Sequence, residues 1–405
     1  MKRLLICLSL LFSLDVHAET GWEFDVGGMV AGDPVVHGDR IYATGGTRLV
    51  ALNRAGELQW SYDAQASSRS SVAIGGETVF VLADNGLHAL DREGNRQWLF
   101  ETQDSARTVE GKTMGWGEGR FEDPWAWTRS APLLVDDRVI FGNANGTHAV
   151  SARDGTLIWH ADTGVSHTRP SQADGVVIIG SWDNHLHGLK LADGSVAWKI
   201  QGRLPQGEMA GWLGWEGFHL DPVIDEGVAF VGSRGTYYYA IDVKTGTEKW
   251  SGKHPSSWIG SPAIVDDGVV YLGLSDGYSL IGLKTRNGNQ TLLFRNNFYN
   301  FARPQADSSR VFLASLSGEL HSIDKKTGTG RTLFATPKSK DNLQEVLYAE
   351  GGQNFVHSAK GGFTHENAVK DVHRMLTELD SLVSLTLDGG VLYAGSAGGR
   401  VYAIP

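Results

Sequence analysis

The residues of this 405-residue chain best suited to bind a ligand are arginines, histidines and a tryptophan that recur just before a proline, or before the residue that replaces it. They are Arg69, Arg129, His167, Arg169, His219, Trp258 and Arg303. A guanidinium group forks two hydrogen bonds to a carboxylate, sulfate or phosphate, and a flat aromatic ring stacks on a sugar or a quinone. The set predicts a site for an anionic ligand, provided that the fold brings these residues together.

A repeat of about 40 residues positions them. Its fullest copy, Asp221–Trp250, reads DPVIDEGVAFVGSRGTYYYAIDVKTGTEKW. Its short runs of Val, Ile, Tyr and Phe, bounded by Gly, Asp or Ser, predict about four antiparallel strands. The other copies are Gly32–Trp60, Ser70–Trp98, Ser130–Trp159, Pro170–Trp198, and two looser ones, Ser261–Leu292 and Arg303–Phe334. One such sheet cannot bury both of its faces, so the copies must stack on one another.

Tryptophans keep the copies in phase. Five of them each follow a glycine by four residues: Gly56 and Trp60, Gly94 and Trp98, Gly155 and Trp159, Gly194 and Trp198, Gly246 and Trp250. The last copy, Ser384–Ile404, stops before this strand, and Thr20–Phe24 supplies it from the other end of the chain. The pattern predicts an all-β fold, an eight-bladed β-propeller of four-stranded antiparallel blades, closed by the N-terminal strand. We interpret the tryptophans as packing between blades.

The repeat resembles a known family. Its order of proline, apolar strand, Asp-Gly, Val-Tyr-x-Gly, Asp-Gly, Leu-x-Ala-Leu-Asp, Thr-Gly and tryptophan is similar to the pyrroloquinoline-quinone (PQQ) type of propeller repeat. The resemblance covers nearly the whole chain after residue 20. The family includes quinoprotein alcohol dehydrogenases and the lipoprotein scaffold of the outer-membrane β-barrel assembly machinery. It therefore implies the fold but not an activity, because this fold serves catalysts and binding proteins alike.

The N-terminal segment predicts export. Met1–Ala18 (MKRLLICLSLLFSLDVHA) has a basic head, an apolar centre and a small-residue end, which is typical of a signal peptide cleaved near Ala18. The only cysteine, Cys7, lies inside it, so we expect no disulfide or lipid anchor in the mature chain. A formal net charge of −10 argues against binding nucleic acid or an anionic membrane, and no later stretch is long and apolar enough to span one. We expect a monomeric periplasmic or secreted protein with one domain, residues 19–405.

Three insertions, 101–128, 201–220 and 335–381, lengthen connections between blades. Such connections leave one face of the disc, as do the loops between second and third strands that carry Asn143, Asn145, Trp182 and Arg234. We expect Trp116 and Trp212, from the first two insertions, to join the ligand site on that face. In the third insertion the apolar spacing predicts one helix, Thr364–Asp380, with Thr364 as N-cap and an apolar stripe packed on the propeller.

Most histidines are interpreted as structural. His88, His148, His187 and His321 occupy one position of the repeat and so predict four separate packing sites. His185 and His187 form only half of a metal site, and His365-Glu366 lacks the second histidine of a zinc-protease helix because Val369 stands there. We therefore predict no metal site.

Three functions compete. The first is a binding or scaffold protein that holds an envelope protein, or an anionic small molecule or glycan, on the decorated face. The second is a lyase acting on anionic polysaccharide, in which Arg129, Arg169, Arg234 or Arg303 neutralises a carboxylate and His167 or Tyr237 moves the proton. The third is a quinone-dependent dehydrogenase, which the absence of cysteine from the mature chain disfavours, so we expect no PQQ. No catalytic residues are assigned, and the arginines could instead pair with Asp183, Asp221 or Glu118.

Overall fold

Eight four-stranded antiparallel sheets form a closed ring, which confirms the predicted propeller. The structure is a computed structural model and describes residues 21–206, 214–348 and 364–405. The predicted signal peptide, residues 1–18, and the candidate ligand residue Trp212 lie outside the described residues.

The first four blades follow one another in chain order, after strand β1 (Trp22–Asp25). Blade 1 consists of β2 (Val35–His37), β3 (Arg40–Gly45), β4 (Arg48–Asn53) and β5 (Leu58–Asp63). Blade 2 consists of β6 (Ala73–Gly75), β7 (Thr78–Ala83), β8 (Gly86–Leu90) and β9 (Arg96–Glu101). A small hairpin, β10 (Thr108–Glu110) and β11 (Arg120–Glu122), precedes blade 3, which consists of β12 (Leu133–Val135), β13 (Arg138–Asn143), β14 (Gly146–Ser151) and β15 (Leu157–Ala161). Blade 4 consists of β16 (Ser171–Ala173), β17 (Val176–Gly180), β18 (His185–Lys190) and β19 (Val196–Gln201).

The second half of the ring repeats this plan. Blade 5 consists of β20 (Val223–Asp225), β21 (Val228–Gly232), β22 (Tyr237–Asp242) and β23 (Glu248–Lys253). Blade 6 consists of β24 (Ile264–Asp266), β25 (Val269–Gly273), β26 (Ser279–Lys284) and β27 (Gln290–Arg295). Blade 7 consists of β28 (Gln305–Ala306), β29 (Arg310–Ala314), β30 (Glu319–Asp324) and β31 (Gly330–Ala335). Blade 8 consists of β32 (Leu382–Asp388), β33 (Val391–Ser396), β34 (Arg400–Ile404) and β1.

The N-terminal strand closes the ring, as the sequence predicts. Strand β1 is the outermost strand of blade 8 and pairs antiparallel with β34, so that Trp22 lies opposite Ala403. The indole Nε1 of Trp22 donates to the carbonyl oxygen of Arg54 in blade 1, 2.9 Å away. One short strand therefore links the two ends of the chain to the first blade, and the edge of blade 8 is covered.

Eight apolar clusters lie between the blades, one for each pair of neighbours. Strand β7 shows how the sequence achieves this. Its alternate residues Val79 and Val81 face blade 1, whereas Phe80 and Leu82 face blade 3. Because successive side chains of a strand point to opposite faces, a strand that is apolar throughout can serve two interfaces.

Six consecutive interfaces contain a tryptophan that lies against a glycine of the next blade. Trp159 of blade 3, for example, contacts Gly194 of blade 4, and its Nε1 donates to the carbonyl oxygen of Leu191, 3.0 Å away. The pairs are Trp22 with Gly56, Trp60 with Gly94, Trp98 with Gly155, Trp159 with Gly194, Trp198 with Gly246 and Trp250 with Gly288. The glycine four residues before a tryptophan thus receives the tryptophan of the preceding blade, which explains why the two residue types stay in phase.

Helices occur only in the insertions, as far as the described residues extend. They are α1 (Gly111–Met114), α2 (Pro337–Tyr348) and α3 (His365–Glu378). Helix α3 is the predicted one, and its N-cap is Thr364, whose Oγ1 accepts a hydrogen bond from the Asn367 backbone N–H. Helix α2 was not predicted, because its only large apolar side chains are Leu343, Val346, Leu347 and Tyr348 near its end. No helix in the described ranges has the length and apolar character needed to cross a membrane.

Two alanine variants of blade 4 test the tryptophan–glycine contact. Gly194 and Gly175 have nearly equal φ angles, 72° and 77°, so both substitutions carry the same left-handed backbone strain. Only a Cβ on Gly194 would lie 2.6 Å from the Trp159 ring, whereas nothing lies within 4 Å of one on Gly175. We expect Gly194→Ala to lower the free energy of unfolding by about 1–3 kcal/mol more than Gly175→Ala, measured in urea. Equal losses would contradict the role of this contact.

The histidines of the shared repeat position are buried, as predicted. His88 is fully buried, with its Nδ1 2.9 Å from the hydroxyl of Tyr62, and His148 is stacked on the ring of Phe141. Burial lowers the pKa of His88 and of His148 to about 4. An unfolded chain, with histidine pKa values of about 6.5, binds more protons. Protonation therefore favours the unfolded chain, and stability falls as the pH drops from about 6.5 to about 4.

His148→Tyr tests this pH dependence with a residue that the repeat itself uses, since Tyr239 and Tyr402 occupy the same position. Between pH 7 and pH 5 we expect the variant to lose roughly 2 kcal/mol less stability than the wild type. Urea unfolding at each pH gives the comparison, with exposed His37→Tyr as the control for removing a histidine. A variant that keeps the wild-type pH dependence would contradict the assignment.

Candidate site at the channel mouth

Four charged residues from equivalent positions meet in the central channel. Each stands directly before the repeat proline: Asp33 in blade 1, Arg169 in blade 4, Asp221 in blade 5 and Arg303 in blade 7. The Arg303 Nη2 lies 2.5 Å from Asp221 Oδ2, and its Nε lies 3.4 Å from Asp33 Oδ2. The backbone N–H of Arg169 donates to Asp221 Oδ1 over 2.7 Å. Because the two contacts of Arg303 join blades that are not neighbours, they cross the channel.

A small cavity lies between this charged group and the first insertion. Its volume is about 80 Å³, and its walls include Arg69, Arg129, His167 and His219. Trp125 and Trp127, from residues 101–128, also line it. This volume holds a few water molecules, whereas pockets for drug-sized ligands measure about 300–1,000 Å³. The first insertion thus fills the channel mouth.

Arg129 and His167 share a carboxylate beside the cavity. Arg129 Nε lies 3.3 Å from Asp104 Oδ2 and 3.5 Å from Asp84 Oδ1. His167 Nε2 lies 3.0 Å from Asp104 Oδ1, and its Nδ1 accepts from the indole N–H of Trp182, 3.3 Å away. Burial alone would raise the pKa of Asp104, but its hydrogen bond to His167 and the charge of Arg129 hold it below the usual range. Both nitrogens of His167 are therefore engaged.

A buried ion triad holds the insertions over the mouth. Asp123 Oδ2, whose side chain is fully buried, lies 2.5 Å from Arg107 Nη1 and 2.6 Å from Arg234 Nη1. Arg107 also donates to the carbonyl oxygens of Gly214, at 2.9 Å, and Glu216, at 3.3 Å. Burial raises the pKa of Asp123, but the charges of Arg234 and Arg107 outweigh it and lower that pKa. The triad joins the first insertion, the second insertion and blade 5.

Tryptophans cover the arginines of this triad. The Trp182 ring centroid lies 4.1 Å from the Arg107 guanidinium carbon and 4.7 Å from that of Arg234. The Trp258 ring centroid lies 4.9 Å from the Arg234 guanidinium carbon. Burial lowers the pKa of Arg234 to about 10. Trp116 is edge-on to Trp215, at 5.6 Å, and contacts His365 of α3, at 5.0 Å. Two arginines around one aspartate leave one positive charge in excess, and these cation–π and ring contacts offset it.

The structure brings most of the predicted ligand residues together, but it gives them partners within the protein. The charged group that crosses the channel contains Arg169 and Arg303. The insertions and loops at the filled mouth contain the others: Arg129, His167, Trp182, Arg234, Trp258 and Trp116. Of the carboxylates expected to pair with these arginines, Asp221 does so, whereas Asp183 contacts His185 and Lys199, and Glu118 contacts Lys112. Arg69 and Arg169 differ from the other arginines, because neither guanidinium forms an ion pair with a described residue, and Arg169 contacts Asp221 only through its backbone N–H.

Sequence reasoning named only Asp221 from the acidic half of the site and missed the other carboxylates. Asp33 and Asp221 stand at the same repeat position as Arg169 and Arg303, so opposite charges at one position were a signal for contacts across the channel. Asp123 and Arg107 lie in an insertion outside the repeat, which offers no such signal. The insertions, which were predicted to share one face, contact one another: His365 Nε2 of the third lies 2.9 Å from the Glu122 carbonyl oxygen of the first.

Comparison with known proteins identifies the family. The family model described as outer membrane protein assembly factor BamB matches residues 13–146, 113–214 and 210–405. This chain belongs to that family. Within this BamB family, the protein of Yersinia pestis is 25% identical over 244 residues, which are 55% of this chain and 59% of the relative. The match to this curated relative thus spans about three fifths of its length.

Solved structures show the same fold. The BamB structure from Moraxella catarrhalis superimposes with a TM-score of 0.66 and 16% identity, over 94% of this chain and 98% of that one. The quinohemoprotein alcohol dehydrogenase ADHIIG from Pseudomonas putida HK5 gives 0.63 and 12% identity, over 95% and 75%. These findings confirm the resemblance drawn from the repeat. They also show that the fold of this BamB-family chain is shared with an enzyme.

Asp123→Asn tests the buried triad. The substitution leaves two buried guanidinium groups without a counter-charge, so we expect a loss of about 3–5 kcal/mol in the free energy of unfolding. Urea unfolding followed by tryptophan fluorescence measures it. Glu118→Gln is the control, because Glu118 is exposed in the same insertion and lies 3.7 Å from Lys112, and it should leave stability unchanged. Wild-type stability of Asp123→Asn would show that carbonyls and aromatic rings alone hold the arginines.

Proposed function

We propose that this protein is a periplasmic scaffold in outer-membrane protein assembly, which holds an envelope protein on its decorated face. The family match supports the assembly role, because it extends over nearly the whole chain and its description names that process. The segment Met1–Ala18 supports the location, because its sequence has the features of an export signal.

The filled channel mouth carries the choice of a scaffold over an enzyme. The guanidinium of Arg303 crosses the channel, and the Asp123 triad fixes the insertions above it. What remains on this side is a broad surface built from three insertions that contact one another. A fixed surface of this kind suits protein binding, because little has to be ordered when the partner binds.

The two enzymatic alternatives have less support. A quinone of drug-like size does not fit the cavity of about 80 Å³ between the channel charges and Trp125. For a lyase, Arg129, Arg234 and Arg303 are already paired with carboxylates. Both ring nitrogens of His167 are engaged, and Tyr237 is buried beneath Arg203. Neither of the two bases considered for an elimination, His167 or Tyr237, is therefore free in this arrangement.

Site-specific photo-crosslinking in the source bacterium tests the scaffold. Exposed Lys112 and Glu118 lie on the decorated face, and exposed Glu93 and Asp154 lie in turns between third and fourth strands, on the opposite face. We expect a crosslinker at the first pair, but not at the second, to capture an outer-membrane assembly protein. Deletion of the gene should lower the level of outer-membrane β-barrel proteins, measured in isolated membranes. Unchanged levels, together with no face-specific adduct, would contradict the proposal.

A further inference from the structure

A second cavity lies beside the filled mouth, between the first insertion and helix α3. Its volume is about 360 Å³, within the range of small-ligand sites. One wall is the segment from Glu122 to Trp127, and the other is the face of α3 that carries His365, Val369, Val372, His373 and Leu376. Arg69 also lines it. We call it the Arg69 groove.

The walls of the Arg69 groove are largely apolar. The predicted apolar stripe of α3 packs on the propeller at Val372, Met375, Leu376 and Leu379, all of which are buried. Val369 belongs to the same stripe but is 41% exposed, because it faces the groove. Trp127 and Pro124 stand opposite. An exposed valine between a proline and a buried tryptophan would gain from contact with an apolar side chain.

Arg69 adds a positive charge that has no ion pair among the described residues, although Asp84 and Glu122 act on it from beyond ion-pair distance. Its Nε donates to Ser67 Oγ, 3.1 Å away, and none of the described carboxylates lies within ion-pair distance of it. The nearby carboxylate Asp84 is taken by Arg129, whose own positive charge lies close to Arg69. Burial and the charge of Arg129 lower the pKa of Arg69. A half-buried guanidinium in this setting would be stabilised by an anion that reaches it from the groove.

We propose that the Arg69 groove binds the C-terminus of a polypeptide whose last side chain is apolar. The terminal carboxylate would pair with the Arg69 guanidinium, and the side chain would lie against Val369 and Trp127. Polar groups at the rim, Glu122 and His373, favour a peptide over a fatty acid, because a peptide brings amide groups to meet them. The proposal does not depend on the assembly role, since binding of a synthetic peptide is measured on the purified protein.

Fluorescence anisotropy with a labelled hexapeptide that ends in leucine tests the site. We expect saturable binding of the peptide with a free C-terminus, and at least tenfold weaker binding of the same peptide as its C-terminal amide. Arg69→Gln should lower the affinity for the peptide with a free carboxylate by about tenfold or more, but it should hardly change the affinity for the amide. The matched control is Arg120→Gln, at an exposed arginine of the first insertion that is 3.5 Å from Glu110, and this variant should bind as the wild type does.

Val369→Ser tests the apolar wall separately. Val369 is exposed, so its replacement should leave the fold intact, as judged by near-ultraviolet circular dichroism. The variant should bind both peptides more weakly than the wild type does. Equal binding of the acid and the amide would overturn the proposal, as would unaltered binding by Arg69→Gln or no binding to the wild type. We expect octanoate not to displace the labelled peptide. Octanoate that binds through Arg69 in place of the peptide would overturn the choice of a polypeptide.

Discussion

Contact between an indole and a glycine without a Cβ sets the distance between most neighbouring blades. In six consecutive interfaces a Cβ on the glycine would lie 2.5–2.7 Å from the tryptophan ring. A ring closes only if the rotation from blade to blade is repeated, so one contact used six times specifies geometry as well as stability. The last of these contacts, Trp22 on Gly56, forms where the N-terminal strand completes blade 8.

The two interfaces that lack this contact lie beneath the helical insertion. Leu292 and Thr332 stand at the tryptophan position, four residues after Gly288 and Gly328. Helices α2 and α3 pack on an apolar cluster that draws residues from the connections and loops of blades 6, 7 and 8, and from Ala31 before blade 1. The third insertion therefore does two things. It ties together the blades that have lost their tryptophans, and it forms one wall of the Arg69 groove.

The sequence was sufficient for the ring but only for half of the site. Three features of the ring are local or periodic, so they could be recognised without coordinates. They are the alternation of side chains along each strand, the four-residue spacing of glycine and tryptophan, and the N-terminal strand that completes the last blade. The ion pairs are neither local nor periodic. Arg303 reaches Asp33 and Asp221 by passing over adjacent blades, and Asp123 comes from an insertion that has no counterpart in the repeat. A residue type at a repeat position predicts where a side chain starts, but not which blade it reaches.

The charges at the pre-proline position are the reason why we place the proposed binding on the face and not in the channel. Four of the eight blades carry uncharged residues there, Ser71, Ala131, Pro262 and Ser384, which alone would leave an open channel. The other four carry two aspartates and two arginines, which are long enough to meet and are balanced in charge. An ion group balanced in this way has little to gain from an anionic ligand. Arg69 stands two residues before that position, forms no ion pair with a described residue and lies at the edge of the mouth, next to the apolar wall of α3.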